Sequence, residues 1–172
     1  MLNKVPNRDL NILSRFFIKN KSIKILNLSR NKIGEIESDA KFLFQALKIN
    51  NTIQEIYLND NLIGNNNLDI YYIADVIREN KSIINFALGK NKIGRKADDI
   101  EKITNSLKEN KNIRTLFLEY NLIGKHDTDI IFIEECLKIN KTLKELYLFG
   151  NKLKEEEGQK LKEKFMNMEI FY

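Results

Sequence analysis

The stretch TLFLEYNLIGKH, residues 115–126, holds a carboxylate (Glu119), a phenol (Tyr120) and the only histidine of the chain (His126). Side chains of these types can relay a proton near neutral pH, with a carboxylate or imidazole as base and a phenol as acid. Ten residues beyond His126 stands the single cysteine, Cys136, a nucleophile wherever a base adjoins it. Whether these groups can cooperate depends on the elements that carry them. A loop histidine with no second histidine or cysteine nearby lacks the ligand set that zinc requires, and no metal site is expected. The chain has neither a glycine-rich phosphate loop nor a nucleophile elbow. It reads as non-catalytic, with no cofactor and no small-molecule substrate.

The totals set the frame. The 172 residues, 42% of them hydrophobic and 31% charged, suit one folded domain with a sizeable core. No apolar run approaches the roughly 18–20 residues of a membrane helix. The start, MLNKVPNRDL, lacks the apolar centre of a secretory signal, so a cytoplasmic protein is expected; secretion as an effector without a signal peptide is also compatible. One cysteine cannot close an internal disulfide, in keeping with a reducing compartment. A net charge of +5 is a weak pointer to anionic partners.

Self-similarity organises everything else. Five segments align without gaps: NKSIKILNLSRNKIG from Asn20, NNTIQEIYLNDNLIG from Asn50, NKSIINFALGKNKIG from Asn80, NKNIRTLFLEYNLIG from Asn110 and NKTLKELYLFGNKLK from Asn140. Each begins thirty residues after the last. In the fourth unit, Leu116 and Leu118 alternate with Phe117 at the period of a strand, leaving Phe117 on the opposite face. Gly34, Gly64, Gly94 and Gly124 then mark a turn at positive φ. The second half of each unit has helical period, as in Ile130, Ile133, Cys136 and Leu137. Asp39, Asp69, Asp99 and Asp129 stand at helix starts, where a carboxylate meets orphan N–H groups. Lys48, Arg78, Lys108 and Lys138 stand near the helix ends, and Asn50, Asn80, Asn110 and Asn140 follow as left-handed C-caps.

The pattern LxxLxLxxNxLG followed by a helix resembles a leucine-rich repeat of the ribonuclease-inhibitor type, which also occurs in NOD-like receptors and in the Ran GTPase-activating protein. The resemblance covers nearly the whole chain, although the first four units carry slightly more residues between glycine and helix than that family. It implies a right-handed α/β solenoid shaped as a horseshoe or arc, with five parallel strands on the concave face and about six helices on the convex face. The organisation expected is a single domain over 1–172. Residues 1–19 form an N-terminal capping helix with Leu10, Leu13, Phe16 and Phe17 inward; 20–153 form the repeats; 154–172 form a C-terminal cap in which MEIFY adds a stub beside the last strand. Asn31, Asn61, Asn91, Asn121 and Asn151 are expected to stack inward as a ladder that satisfies backbone groups of adjacent turns.

In this frame His126 falls in a variable loop and Cys136 on a buried helical face, so the apparent catalytic cluster separates. Equivalent outward strand residues form columns about 4.8 Å apart. One column reads Asn27, Tyr57, Ala87, Phe117, Tyr147; the next Ser29, Asn59, Gly89, Glu119, Phe149; beside it run Arg30, Asp60, Lys90, Tyr120, Gly150. The fold does not require these identities, and they vary while the core columns barely change. Tyr57, Asn59, Asp60, Lys90, Phe117, Glu119, Tyr120, Tyr147 and Phe149 are therefore the candidate partner-binding residues, with Ala87 and Gly89 leaving a dip among the aromatics. The expected function is recognition of a protein partner by a monomer. The family resemblance offers regulation of a small GTPase as an alternative, although its loop residues find no match here. Lys21, Lys81, Lys111 and Lys141 form a basic rim that a nucleic acid could use, yet helix-dipole complementarity accounts for much of it. No membrane partner is expected.

Overall fold

The computed structural model describes residues 7–172, so the first six residues of the expected N-terminal cap, like the Asp39 side chain, lie outside the described set. Six helices alternate with six strands: α1 (Asn7–Lys19), β1 (Ile25–Asn27), α2 (Glu37–Ile49), β2 (Glu55–Tyr57), α3 (Asp69–Glu79), β3 (Asn85–Ala87), α4 (Asp99–Glu109), β4 (Thr115–Phe117), α5 (Asp129–Ile139), β5 (Glu145–Tyr147), α6 (Glu155–Lys164) and β6 (Glu169–Phe171). The strands form one open, uncurled parallel sheet in sequence order, rather than a horseshoe, with one more strand than the five repeat units supply. Each of the first four pairs with the next at a spacing of thirty, as in Leu26, Ile56, Phe86, Leu116 and Leu146. No helix among the described residues is long and apolar enough to cross a membrane.

The core lies between sheet and helices. Leu28, Leu58, Leu88, Leu118 and Leu148 line up beneath the sheet, and the helical set Leu43, Leu47, Ile73, Ile77, Ile103, Leu107, Ile133 and Leu137 meets them. A solenoid turn cannot bury its apolar face alone, so stacking builds one continuous core. At the start of the array Leu10 and Phe17 are buried and Leu13 partly so, whereas Phe16 is 51% exposed, contrary to its expected inward place. Phe16 corresponds to Ala46, whose helix packs on a preceding helix; among the described residues none precedes α1. At the far end, Glu157 accepts the Lys154 N–H (2.8 Å), and β6 adds its strand beside β5.

Two asparagine ladders staple the turns. In the inner one, Asn61 donates to the carbonyls of Leu28 (3.1 Å) and Leu58 (2.9 Å) and accepts from the N–H groups of Asn31 (2.9 Å) and Ile33 (3.0 Å). Asn91, Asn121 and Asn151 repeat the link to the leucine carbonyl of the previous turn and the acceptance from its isoleucine N–H. The second ladder corrects an expectation. Asn50, Asn80, Asn110 and Asn140 do not enter the left-handed region; their φ values lie between −68° and −73°. Their side chains instead turn inward. Asn80 donates to Leu47 (2.6 Å) and Asn50 (2.7 Å) carbonyls of the previous turn and accepts from its own Ser82 and Ile83 N–H groups (both 2.8 Å). The amide thus satisfies carbonyls at the end of the preceding helix, which no intrahelical donor reaches.

The helix-start aspartates also act differently from a cap on their own helix. Asp69 accepts from Gly64 (2.9 Å) and Asn66 (3.2 Å), and Asp129 from Gly124 (2.8 Å), so these carboxylates brace the turn before the helix. That turn requires glycine: Gly94 has φ +85°, and a Cβ there would stand 2.9 Å from backbone atoms of Leu122 and Ile123 in the next unit.

Candidate functional site

The outward strand residues build a face with one rail of aromatic rings. Register places Tyr57, Ala87, Phe117, Tyr147 and Phe171 side by side. Parallel strands repeat at nearly the thickness of a stacked ring pair, so flat side chains on neighbouring strands stack. Phe117 lies on Tyr147 with centroids 4.5 Å apart and planes 22° off parallel, and Tyr147 lies on Phe171 at 4.3 Å and 13°. The Tyr147 hydroxyl donates to Glu145 (3.1 Å), and the Tyr57 hydroxyl makes the equivalent bond to Glu55 (2.8 Å). Burial and the Glu145 carboxylate hold the Tyr147 phenol above its ordinary pKa; at Tyr57 the hydrogen bond to Glu55 is the main cause of the same shift. Both rings are thereby tethered toward the strand starts.

Phe149 joins this rail edge-on, 6.4 Å from Tyr147, and Tyr120 meets Phe149 edge-on at 5.3 Å. Lys90 places its Nζ 5.4 Å from the centre of the Tyr120 ring. Of the residues singled out in the sequence, Phe117, Glu119, Tyr120, Tyr147 and Phe149 therefore lie together. Tyr57 faces them across a hollow of about 260 Å³ lined also by Asn59, Ala87 and Glu119. Asp60 is held apart by Arg30 (3.2 Å) along a neighbouring hollow of about 380 Å³ that Lys90 and Tyr120 share.

The expected dip at Ala87 and Gly89 is filled in part. Both residues are buried, and over Gly89 the Glu119 carboxylate folds back into the space that any Cβ there would take. Asn59 fixes the Gly89 backbone from the other side by accepting its N–H at 2.9 Å. Oε2 of Glu119 is shut from solvent and has no hydrogen-bond partner. Burial raises the carboxyl above its ordinary pKa, with the nearby charge of Lys90 pulling the other way.

Three features escape a reading of the sequence. Phe171 follows Tyr147 by twenty-four residues, not thirty, so it sits outside the repeat columns although it extends the rail. Arg30, Asp60, Lys90 and Tyr120 have φ between +52° and +63°, a left-handed backbone that bulky residues rarely adopt and that no local motif announces. Within the strands the outward positions carry Glu55, Glu145 and Glu169 and no lysine or arginine, despite the positive net charge; Glu119 lies just past β4, with Arg30 and Lys90 in the column beside it.

The groups that invited a catalytic reading stay separate. His126 sets Nε2 3.3 Å from the Arg95 carbonyl, in the loop of the preceding turn. Cys136 is buried, and burial pushes its thiol up to about 12. Among the described residues no three His, Cys, Asp or Glu side chains group to hold a metal. The rim lysines Lys81 and Lys141 donate to the carbonyls of Arg78 (3.1 Å) and Lys138 (2.6 Å) at helix ends, as the dipole favours.

No protein-family model matches the chain, and no curated protein matches it in sequence. Among solved structures it is similar to that of leiomodin-1 actin-binding site 2, with a TM-score of 0.70 and 17% identity over 95% of this chain and 90% of that one. It is similar also to the tropomodulin C-terminal domain of Caenorhabditis elegans, with a TM-score of 0.60 and 14% identity over 79% and 77% of the two chains. At such identities the likeness is one of fold, and that fold, with its alternating parallel strands and helices, is the leucine-rich-repeat solenoid.

Proposed function

We propose that the chain is a non-enzymatic module that binds a protein partner across the outward face of its sheet, centred on the C-terminal half. The observation that carries the reading is the continuous stack of Phe117, Tyr147 and Phe171, flanked by Phe149 and Tyr120. Aromatic side chains gathered on an accessible face supply the anchors that dominate protein interfaces. They are also held in place before binding, by stacking and by hydroxyl tethers, so less ordering entropy opposes association. The similar leiomodin-1 structure is an actin-binding site, which supports a protein as the class of partner. Neither solved structure lends support to a role in regulating a small GTPase. Nucleic acid is disfavoured, because the outward positions within the strands carry glutamates, while of the cations beside them Arg30 is paired with Asp60 and Lys90 is set against the Tyr120 ring.

The test is affinity capture from the native cell, comparing the wild-type chain with Phe117→Ala/Tyr147→Ala/Phe149→Ala, after thermal melts establish that both are folded. The reading expects a partner recovered by the wild type and lost by the triple variant. Equal recovery by both folded proteins overturns it.

A further inference from the structure

The aromatic rail has a vacancy. Phe117, Tyr147 and Phe171 stack at intervals of 4.5 and 4.3 Å, close to one strand spacing. On the next strand the register puts Ala87, and beyond it Tyr57. Tyr57 and Phe117 therefore spring from strands two spacings apart, roughly 10 Å, with no ring but only the Ala87 methyl, itself 1% exposed, on the strand between them. Both rings line the hollow of about 260 Å³, which extends past them to Asn59 and Phe149. Its width suits a single flat group with one ring on each side.

The charge around the gap distinguishes which flat group fits. Glu119 lines it from above Gly89, with Oε2 buried and unpaired. A buried polar atom without a partner is costly and rare in a folded chain. Glu55 stands at the foot of Tyr57, bonded to its hydroxyl, and Lys90, whose charge acts on Glu119, is set against the Tyr120 ring and does not line the gap. An aromatic ring would fill the gap but leave the Glu119 oxygen unsatisfied. A lysine ammonium would answer the charge but not the two ring faces. A guanidinium does both, being planar, permanently cationic, able to stack on aromatic faces and to bond a carboxylate with two parallel N–H donors. The terminal torsion of a glutamate is soft, so its carboxyl can turn to present both oxygens.

Resting on the protein-binding reading above, we propose that the gap over Ala87, between Tyr57 and Phe117, receives an arginine side chain of the partner, with Glu119 as its counter-ion. The acidic character of the sheet face then selects a basic segment. The flat guanidinium completes the rail as a fourth layer between Tyr57 and the Phe117 stack.

The experiment titrates the folded, isotope-labelled chain with three capped tripeptides, acetyl-Gly-Arg-Gly-amide and its lysine and phenylalanine counterparts, and follows backbone amide shifts. A single small group gives affinity on the order of millimolar. The expected order is arginine tighter than lysine and phenylalanine by several-fold, with shifts centred on Ala87, Gly89 and Glu119. Glu119→Gln should weaken the arginine peptide by about tenfold, one charge-assisted pair. Ala87→Phe, which fills the gap with the missing ring, should abolish binding. Phenylalanine binding as tightly as arginine, an arginine affinity unchanged by Glu119→Gln, or no shift with the arginine peptide each overturns the assignment. If any of these occurs while partner capture still needs Phe117, Tyr147 and Phe149, the arginine assignment alone falls. Loss of that requirement in capture overturns both.

Discussion

Replacing Asn80 by glycine separates two ways in which each turn could be fastened to the next. Were Asn80 a left-handed C-cap, glycine would suit the position at least as well, and Asn80→Gly would be neutral or stabilising by a few tenths of a kcal/mol. The observed φ of −69° and the inward amide predict the opposite. Asn80 is 3% exposed and makes two donations to Leu47 and Asn50 carbonyls and two acceptances from Ser82 and Ile83. Glycine removes all four bonds. The Asn50 carbonyl keeps the Ser82 hydroxyl (3.2 Å), and the Ser82 N–H is only partly buried, so water can replace the amide there. The Leu47 carbonyl and the Ile83 N–H remain, both in buried bonds. At about 1–3 kcal/mol for each buried group left without a partner, the loss is about 2–6 kcal/mol. The backbone entropy of glycine adds about 0.5–1 kcal/mol. Urea unfolding followed by circular dichroism measures it, with an unchanged slope showing that the same cooperative unit unfolds. An Asn80→Gly midpoint equal to or above that of the wild type refutes the side-chain ladder.

Gly94→Ala forces a Cβ to within 2.9 Å of the next turn at φ +85°, and a loss of about 2 kcal/mol or more is expected in the same assay; a loss below about 0.5 kcal/mol would contradict the turn geometry. Burial holds Glu119 above its ordinary value of 4.5, so the folded chain binds that proton more tightly than the unfolded chain. Its contribution to stability is thus fully present below 4.5 and is lost as pH rises through the higher folded value. Glutamine does not titrate, so Glu119→Gln should gain on the wild type between pH 4 and pH 7; an equal difference in midpoint at both would oppose the reading. With its thiol pushed up to about 12 inside the core, Cys136 should resist alkylation at pH 8 in the native protein and react once unfolded in urea. Rapid native alkylation would contradict its placement.

Much of the architecture is legible because the thirty-residue period fixes register as well as secondary structure. Once Leu116 and Leu118 face inward, Phe117 and Glu119 must face outward, and every other unit repeats the choice. Legibility fails where a residue's role depends on a group one turn away. Asn is both tolerant of left-handed backbone and able to bridge two backbones, and only the carbonyl thirty-three residues earlier, Leu47 for Asn80, decides between them. Gly89 is similar. By itself it reads as a gap, but the side chain of Glu119, thirty residues later, folds into the space. The left-handed residues Arg30, Lys90 and Tyr120 carry no local signal, because the ladder bonds of each turn to the next impose their backbone: the Lys90 N–H reaches the Glu119 carbonyl (2.8 Å) and the Tyr120 N–H that of Phe149 (2.9 Å). Phe16 and Phe171 lie at the two ends, where the repeat loses its neighbour or changes its spacing.

Position-specific photocrosslinking decides whether the aromatic rail on the sheet face is the surface that meets a protein partner. A benzophenone amino acid replaces Phe171 on the rail in one protein and Tyr71, 50% exposed on the helical side, in another. If the rail binds, the partner crosslinks from position 171 and not from position 71. Crosslinking of that partner from position 71 and not from position 171 would contradict it.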